Sequence, residues 1–184
     1  MRTVVAALGV VTLLAVAGCN EKDDAATVTL PPVEIAEAPA ASAGGACILW
    51  DWAFIEQKIG VRFSVAASDQ VDDTSTCVVQ TMDGSWPDLS LSVVEQTTAD
   101  AKVFLSDRMP KKSVQLRGLG KAGYRLNAAA SGGHGPSVEI GWLSEAEQLQ
   151  TLKFTFAKGA SNSSVSQMNS RLLELAKAMD TTDG

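Results

Sequence analysis

From about residue 46 the apolar positions recur with two periods, one helical and one extended. Asp51 ahead of Trp52, Ile55 and Ile59, with Gly60 behind them, predicts a short helix capped at both ends. Val61, Phe63 and Val65 alternate with Arg62 and Ser64 and predict a strand, followed by an acidic loop over 69–73. Residues 77–82 and 89–93 are strand-like and flank Asp83-Gly84, with Ser85-Trp86-Pro87 lengthening the hairpin loop. Thr98 opens a second helix with Val103 and Phe104 inward, ending before Pro110. Val114 and Leu116 make a short strand, and Gly118-Leu119-Gly120 turns it into Ala122, Tyr124 and Leu126. A glycine-rich loop over 131–136 precedes the alternating sets Val138, Ile140, Trp142 and Leu152, Phe154, Phe156. Ser164 with Gln167 reads as a capping box. Behind it, Val165, Met168, Leu172, Leu175, Ala176 and Met179 fall on one helical stripe.

The order is therefore helix, three strands, helix, four strands, helix. Connections this short favour antiparallel pairing, because parallel pairs need long crossovers. The expected class is α+β: an antiparallel β-sheet of about seven strands, three helices packed on it, the last of them the amphipathic C-terminal helix.

The N-terminal pattern is different. Residues 4–16 are almost wholly apolar, too few to span a bilayer and the right length for the core of a signal peptide. The run ends in Val16-Ala17-Gly18-Cys19, which resembles the bacterial lipobox. That resemblance implies cleavage after residue 18, lipidation of Cys19 and anchorage at the outer face of the plasma membrane, an extracytoplasmic location. Residues 19–45 are rich in alanine, proline and acid and lack aromatic residues, so they read as a disordered tether, with the domain at 46–184. Three cysteines then divide into one lipid site and one pair, Cys47 and Cys77. In an exported chain that pair is expected as a disulfide, with two free thiols as the alternative.

At this level the chain is similar to a group of actinobacterial, mycobacterial-type lipoproteins of unknown function. The residues that carry the likeness are the lipobox, the Ala/Pro-rich tether, Cys47-Ile48-Leu49-Trp50 running into a helix that stops at Gly60, Cys77-Val78-Val79, and Gly118-Leu119-Gly120-Lys121-Ala122. The resemblance covers about residues 47–180. It implies an envelope location and a paired-cysteine α+β fold similar to the Mog1/PsbP-like sandwich, and it brings no catalytic residues.

Charge narrows the functional classes. The chain has 15 basic and 21 acidic residues, a net charge of −6 that disfavours nucleic acid as a partner. The excess is uneven. Lys102, Arg108, Lys111, Lys112, Arg117, Lys121 and Arg125 crowd one stretch, and most acids precede it. Lys111, Lys112, Arg117, Lys121 and Arg125 are candidate contacts for an anionic lipid, a phosphorylated wall polymer or an acidic partner, set against a plain scatter of solvated charges. Trp86, in a loop, is a candidate contact residue. The six residues 118–123 match G-x-G-x-x-G, but a strand and not a helix is expected next, so they read as a tight turn. His134 is the only histidine and sits among glycines without a ligand cluster. No cofactor or metal is expected. The leading expectation is a non-enzymatic envelope lipoprotein that binds another envelope component, a protein. A carrier or sensor of an apolar or glycolipid ligand is the alternative, and a carboxylate-based hydrolase a remote third.

Overall fold

The computed structural model describes residues 39–95 and 97–180; the expected signal peptide, Cys19 and most of the expected tether lie outside them. Seven strands form one sheet: β1 (Val65–Val71), β2 (Thr74–Gln80), β3 (Asp88–Val94), β4 (Val114–Leu116), β5 (Ala122–Ala128), β6 (Ser137–Leu143) and β7 (Leu149–Thr155). Their order across the sheet is β1-β2-β3-β7-β6-β5-β4, and every pair is antiparallel. The α+β class and the seven strands are as the periodicity predicts.

The helices are α1 (Trp52–Ile59), α2 (Ala101–Val103) and α3 (Asn162–Asp180). In α1 the Asp51 carboxylate accepts from the Phe54 N–H at 2.9 Å. Gly60, in a left-handed conformation, ends the helix by donating to the Glu56 carbonyl. The stripe of α3 lies on the sheet through Met168, Leu172, Leu175, Ala176 and Met179, all buried. They meet Leu89 and Leu91 of β3, Val138, Ile140 and Trp142 of β6, and Leu152 and Phe154 of β7 in one core that also holds Ile55 and Ile59 of α1. The Arg171 guanidinium donates to the Ile59 carbonyl at 2.8 Å, tying α3 to the end of α1.

The reverse face of the sheet is more polar, with half-buried Thr76, Ser90, Ser92, Thr151 and Lys153. Among the described residues α2 packs against one side of it, where Phe104 joins Ala122, Tyr124 and Leu143 in a second apolar cluster. Tyr124 lies over Gly141, its direct partner on β6, where a Cβ would collide with the ring.

Cys47 and Cys77 are disulfide-bonded, with Cα atoms 4.9 Å apart. The bond pins two short 3-10 turns, Ala40–Ala43 and Gly45–Leu49, against the first two strands. Ala40 is only 1% exposed, the Ala46 N–H donates to Ser75 Oγ at 2.8 Å, and Ser68 Oγ donates to the Ala43 carbonyl. The packed domain therefore begins by Ala40, several residues before the expected boundary at 46. The staple and these hydrogen bonds hold a segment whose composition alone reads as spacer.

Three other boundaries differ. The first strand starts at Val65, not Val61, and runs through Asp69. It is an edge strand largely exposed on both faces, so polar residues are tolerated where a loop was expected. The second helix is capped by Asp100, whose carboxylate accepts from the Val103 N–H at 2.8 Å. It is a single turn extended by a wider turn over Phe104–Arg108, and that widening buries Phe104 while leaving Val103 38% exposed. In α3 the cap is Ser161: its hydroxyl accepts from the Ser164 N–H at 3.1 Å and its carbonyl from the Val165 N–H at 3.1 Å.

Candidate functional site

Register fixes which loops meet. Gln80 pairs with Asp88, Asp88 with Thr155, Thr155 with Ser137, and Ser137 with Ala128. The loops that leave this row are 81–87, 129–136 and 156–161, so Trp86, His134 and the start of α3 share one end of the sheet. The Trp86–Pro87 peptide is cis, and Gln80 Nε2 donates to the Ser85 carbonyl at 3.1 Å to hold the loop.

Trp86 is 37% exposed, and its ring centroid lies 5.0 Å from that of His134, tilted by 50°. The His134 loop is held by main-chain bonds: His134 N–H to the Ser131 carbonyl at 3.0 Å and Gly135 N–H to the Phe156 carbonyl at 2.8 Å. The imidazole Nδ1 is 2.6 Å from the Gly135 carbonyl. A carbonyl only accepts, so Nδ1 carries the proton donated to it.

Asp88, near this pair, is half-buried. Burial raises its carboxyl above the ordinary value of 3.8, while hydrogen bonds from Thr155 and the charges of Lys153 and His134 offset only part of that rise. Next to Trp86 in sequence, Pro87 joins Val61, Phe154, Phe156 and Met168 in lining an open groove of about 410 Å³. Phe154 and Phe156 meet edge to face, 4.7 Å between centroids, and supply its apolar floor. Beneath it, Trp142, Ile140, Leu152 and Leu172 are fully buried.

The basic residues divide by their place in the fold. Lys111 and Lys112 precede β4, Arg117 follows it, and all three are exposed. Lys121 pairs with Glu147 at 3.0 Å across the ends of β5 and β6, a surface contact of modest worth. Arg125 pairs with Ile140 and Val114 and so faces α3. A three-residue outer strand flanked by bases is a guarded edge, one that resists pairing with another chain. The opposite edge, β1, carries Asp69 and turns through Asp72 and Asp73. At about 4.8 Å per strand the two edges stand roughly 29 Å apart, so charge is polarised across the sheet.

The six residues 118–123 form a turn into β5, and no helix follows them. Gly120 has φ +49°, and a Cβ there would overlap the Leu143 carbonyl. The Tyr124 hydroxyl donates to Glu139 at 2.9 Å, and burial together with that carboxylate pushes its pKa up, keeping the phenol protonated. Among the described residues no three of His, Cys, Asp and Glu come together as a metal site would need, and no helix is long and apolar enough to cross a membrane. The pairing of Trp86 with His134 is not visible in the sequence, since it depends on two loops brought together by the pairing of β3, β7 and β6. No protein-family profile, no curated protein and no solved structure matches the chain.

Proposed function

We propose that the protein is a lipid-anchored, non-enzymatic binding module of the cell envelope, held outside the plasma membrane through Cys19. In this reading it meets a partner protein with the loop end of its sheet. The observation that carries the proposal is the exposed Trp86, braced by His134 and set beside an apolar groove. A braced aromatic next to apolar surface is the usual anchor of a protein interface. The chain joins the fold through Ala43, Ala46 and Cys47, against Ser68, Ser75 and Cys77, so Trp86 does not share the attachment side. The likeness to the Mog1/PsbP-like sandwich and to actinobacterial lipoproteins belongs to the same proposal.

The test has two arms. Cys19→Ala in the full chain should move the protein from the membrane to the soluble fraction; retention on the membrane defeats the anchor. A photo-reactive residue in place of Met82, exposed in the same loop as Trp86, should cross-link one protein species in intact cells, and the same residue in place of Val71 should not. Equal capture from both positions, or from neither, defeats the interface. A second reading is favoured by the Phe154–Phe156 floor: the groove takes an acyl chain. Saturable quenching of tryptophan fluorescence by a brominated fatty acid, lost in Phe156→Ser, is its signature.

A further inference from the structure

A second cavity, of about 460 Å³, lies between β5 and the first half of α3, and it is polar where the Trp86 groove is apolar. Its wall includes Arg125 and Asn127 of β5 and Asn162, Ser166, Asn169 and Ser170 of α3. Arg125 is half-buried, and among the described residues its guanidinium has neither a carboxylate nor a hydrogen-bond acceptor. No acidic residue lines the cavity. Asn169 is 8% exposed; its Nδ2 donates to the Val165 carbonyl at 3.1 Å, and its Oδ1 is buried without a partner.

Both features are costly unless something completes them. A guanidinium partly withdrawn from water favours a counter-charge, and a buried amide oxygen needs a donor. Asn127, Asn162, Ser166 and Ser170 add amide and hydroxyl groups not used elsewhere in the fold, with both donors and acceptors available. A planar guanidinium suits an oxyanion taken by two parallel hydrogen bonds. A surround of amides and hydroxyls suits the hydroxyl groups of a sugar, and the volume falls within the range of small-molecule sites, about 300–1,000 Å³.

We propose that this cavity binds a sugar bearing an oxyanion, phosphoryl or carboxyl, with Arg125 on the charged group and the α3 side chains on the hydroxyls. Arg125 is thereby separated from Lys111, Lys112 and Arg117: it is a ligand contact, and they guard an edge. The proposal does not rest on the Trp86 interface.

The experiment is calorimetric titration of the full mature chain in detergent at pH 7 with glucose 6-phosphate, glucuronate, glucose and inorganic phosphate. At least one of the two sugar acids should bind saturably, and which one binds tells phosphoryl from carboxyl. Glucose and inorganic phosphate should each bind at least about tenfold more weakly than that ligand. Arg125→Gln should weaken it about tenfold or more, as loss of a charge-assisted hydrogen bond does, and Lys112→Gln should leave it unchanged. Ser166→Leu, at an exposed helical position, fills the cavity and should weaken binding similarly even if Arg125→Gln disturbs the sheet. Absence of saturable binding by either sugar acid overturns the proposal. So does affinity indifferent to both Arg125→Gln and Ser166→Leu, or phosphate alone binding as tightly as the sugar phosphate.

Discussion

At the end of the sheet marked by Val71, Val94, Leu149 and Leu143, the turns use their polar groups on one another. The Gly120 N–H donates to the Asp180 carboxylate at 2.9 Å, and the Lys121 N–H to the Leu143 carbonyl at 2.8 Å. Ser144 and Gln148 exchange two bonds across the β6–β7 turn, and Lys121 closes on Glu147. At the opposite end the main chain is tied just as firmly, through Ser131, His134, Gly135 and Phe156, yet Trp86, Asn127 and Asn162 present their side chains outward or into open cavities. A loop can be fixed in place by its backbone while its side chains are left for something outside the fold. In the proposed reading, that separation distinguishes the end that serves stability from the end that would serve recognition.

The contrast can be broken from either side. Gly120→Val should have the largest effect, because it meets both a positive φ and the Leu143 carbonyl. A loss of about 3 kcal/mol in denaturant unfolding is expected, and a neutral result would mean the closed end is not the stabilising one. Asp180→Ala removes the acceptor for the Gly120 N–H and should cost about 1 kcal/mol in the same measurement. Trp86→Ala belongs to the open end. Its cost should be near 0.5 kcal/mol, as for surface positions, while capture of a partner by a photo-reactive residue at exposed Met82 disappears; a loss comparable to Gly120→Val would make Trp86 a packing residue.

Asp88→Asn should be the smallest change at the recognition end. The folded Asp88 carboxyl is raised above its ordinary value, so the folded state holds its proton more tightly than the unfolded chain. Stability therefore falls as pH rises through the interval between 3.8 and the raised value. The variant lacks that fall. Its Tm should exceed the parent's at pH 7, and the gap should close as pH is lowered past the interval. A gap that widens toward acid would reverse the sign assigned to Asp88.

Elements with a strong period were legible in the sequence, and those set by position in the sheet were not. The α3 stripe from Met168 to Met179 and the hairpin of β2 and β3 follow from spacing alone, because each buries one complete face. The strand is expected over 61–65 and a loop over 69–73, because Ala66, Ala67, Ser68 and Asp69 of β1 carry no apolar alternation; only its place at the edge explains why that suffices. The single turn of α2 is too short for a period to show. Of the candidate contacts, Trp86 was visible as a loop aromatic and Arg125 as one base among seven. What separates Arg125 from Lys112 is strand parity: Arg125 shares a face with Gly123 and Asn127, and that face meets α3 only once the register with β6 is known. Asn169 lies on the buried side of α3 among apolar residues, and the sequence contains no signal that its oxygen lacks a partner.

The Cys47–Cys77 bond has a mechanical consequence. If Cys19 is fixed in a membrane and a partner pulls on the loop end, tension reaches the domain through residue 47. The disulfide passes it directly into the second strand, one place in from the sheet edge and paired on both sides. α1 and β1, which lie between the two cysteines in sequence, fall outside the load path and cannot be peeled away from the N-terminus while the bond is intact. Reduction would move the point of attack to the edge strand, the weakest place from which to unzip a sheet.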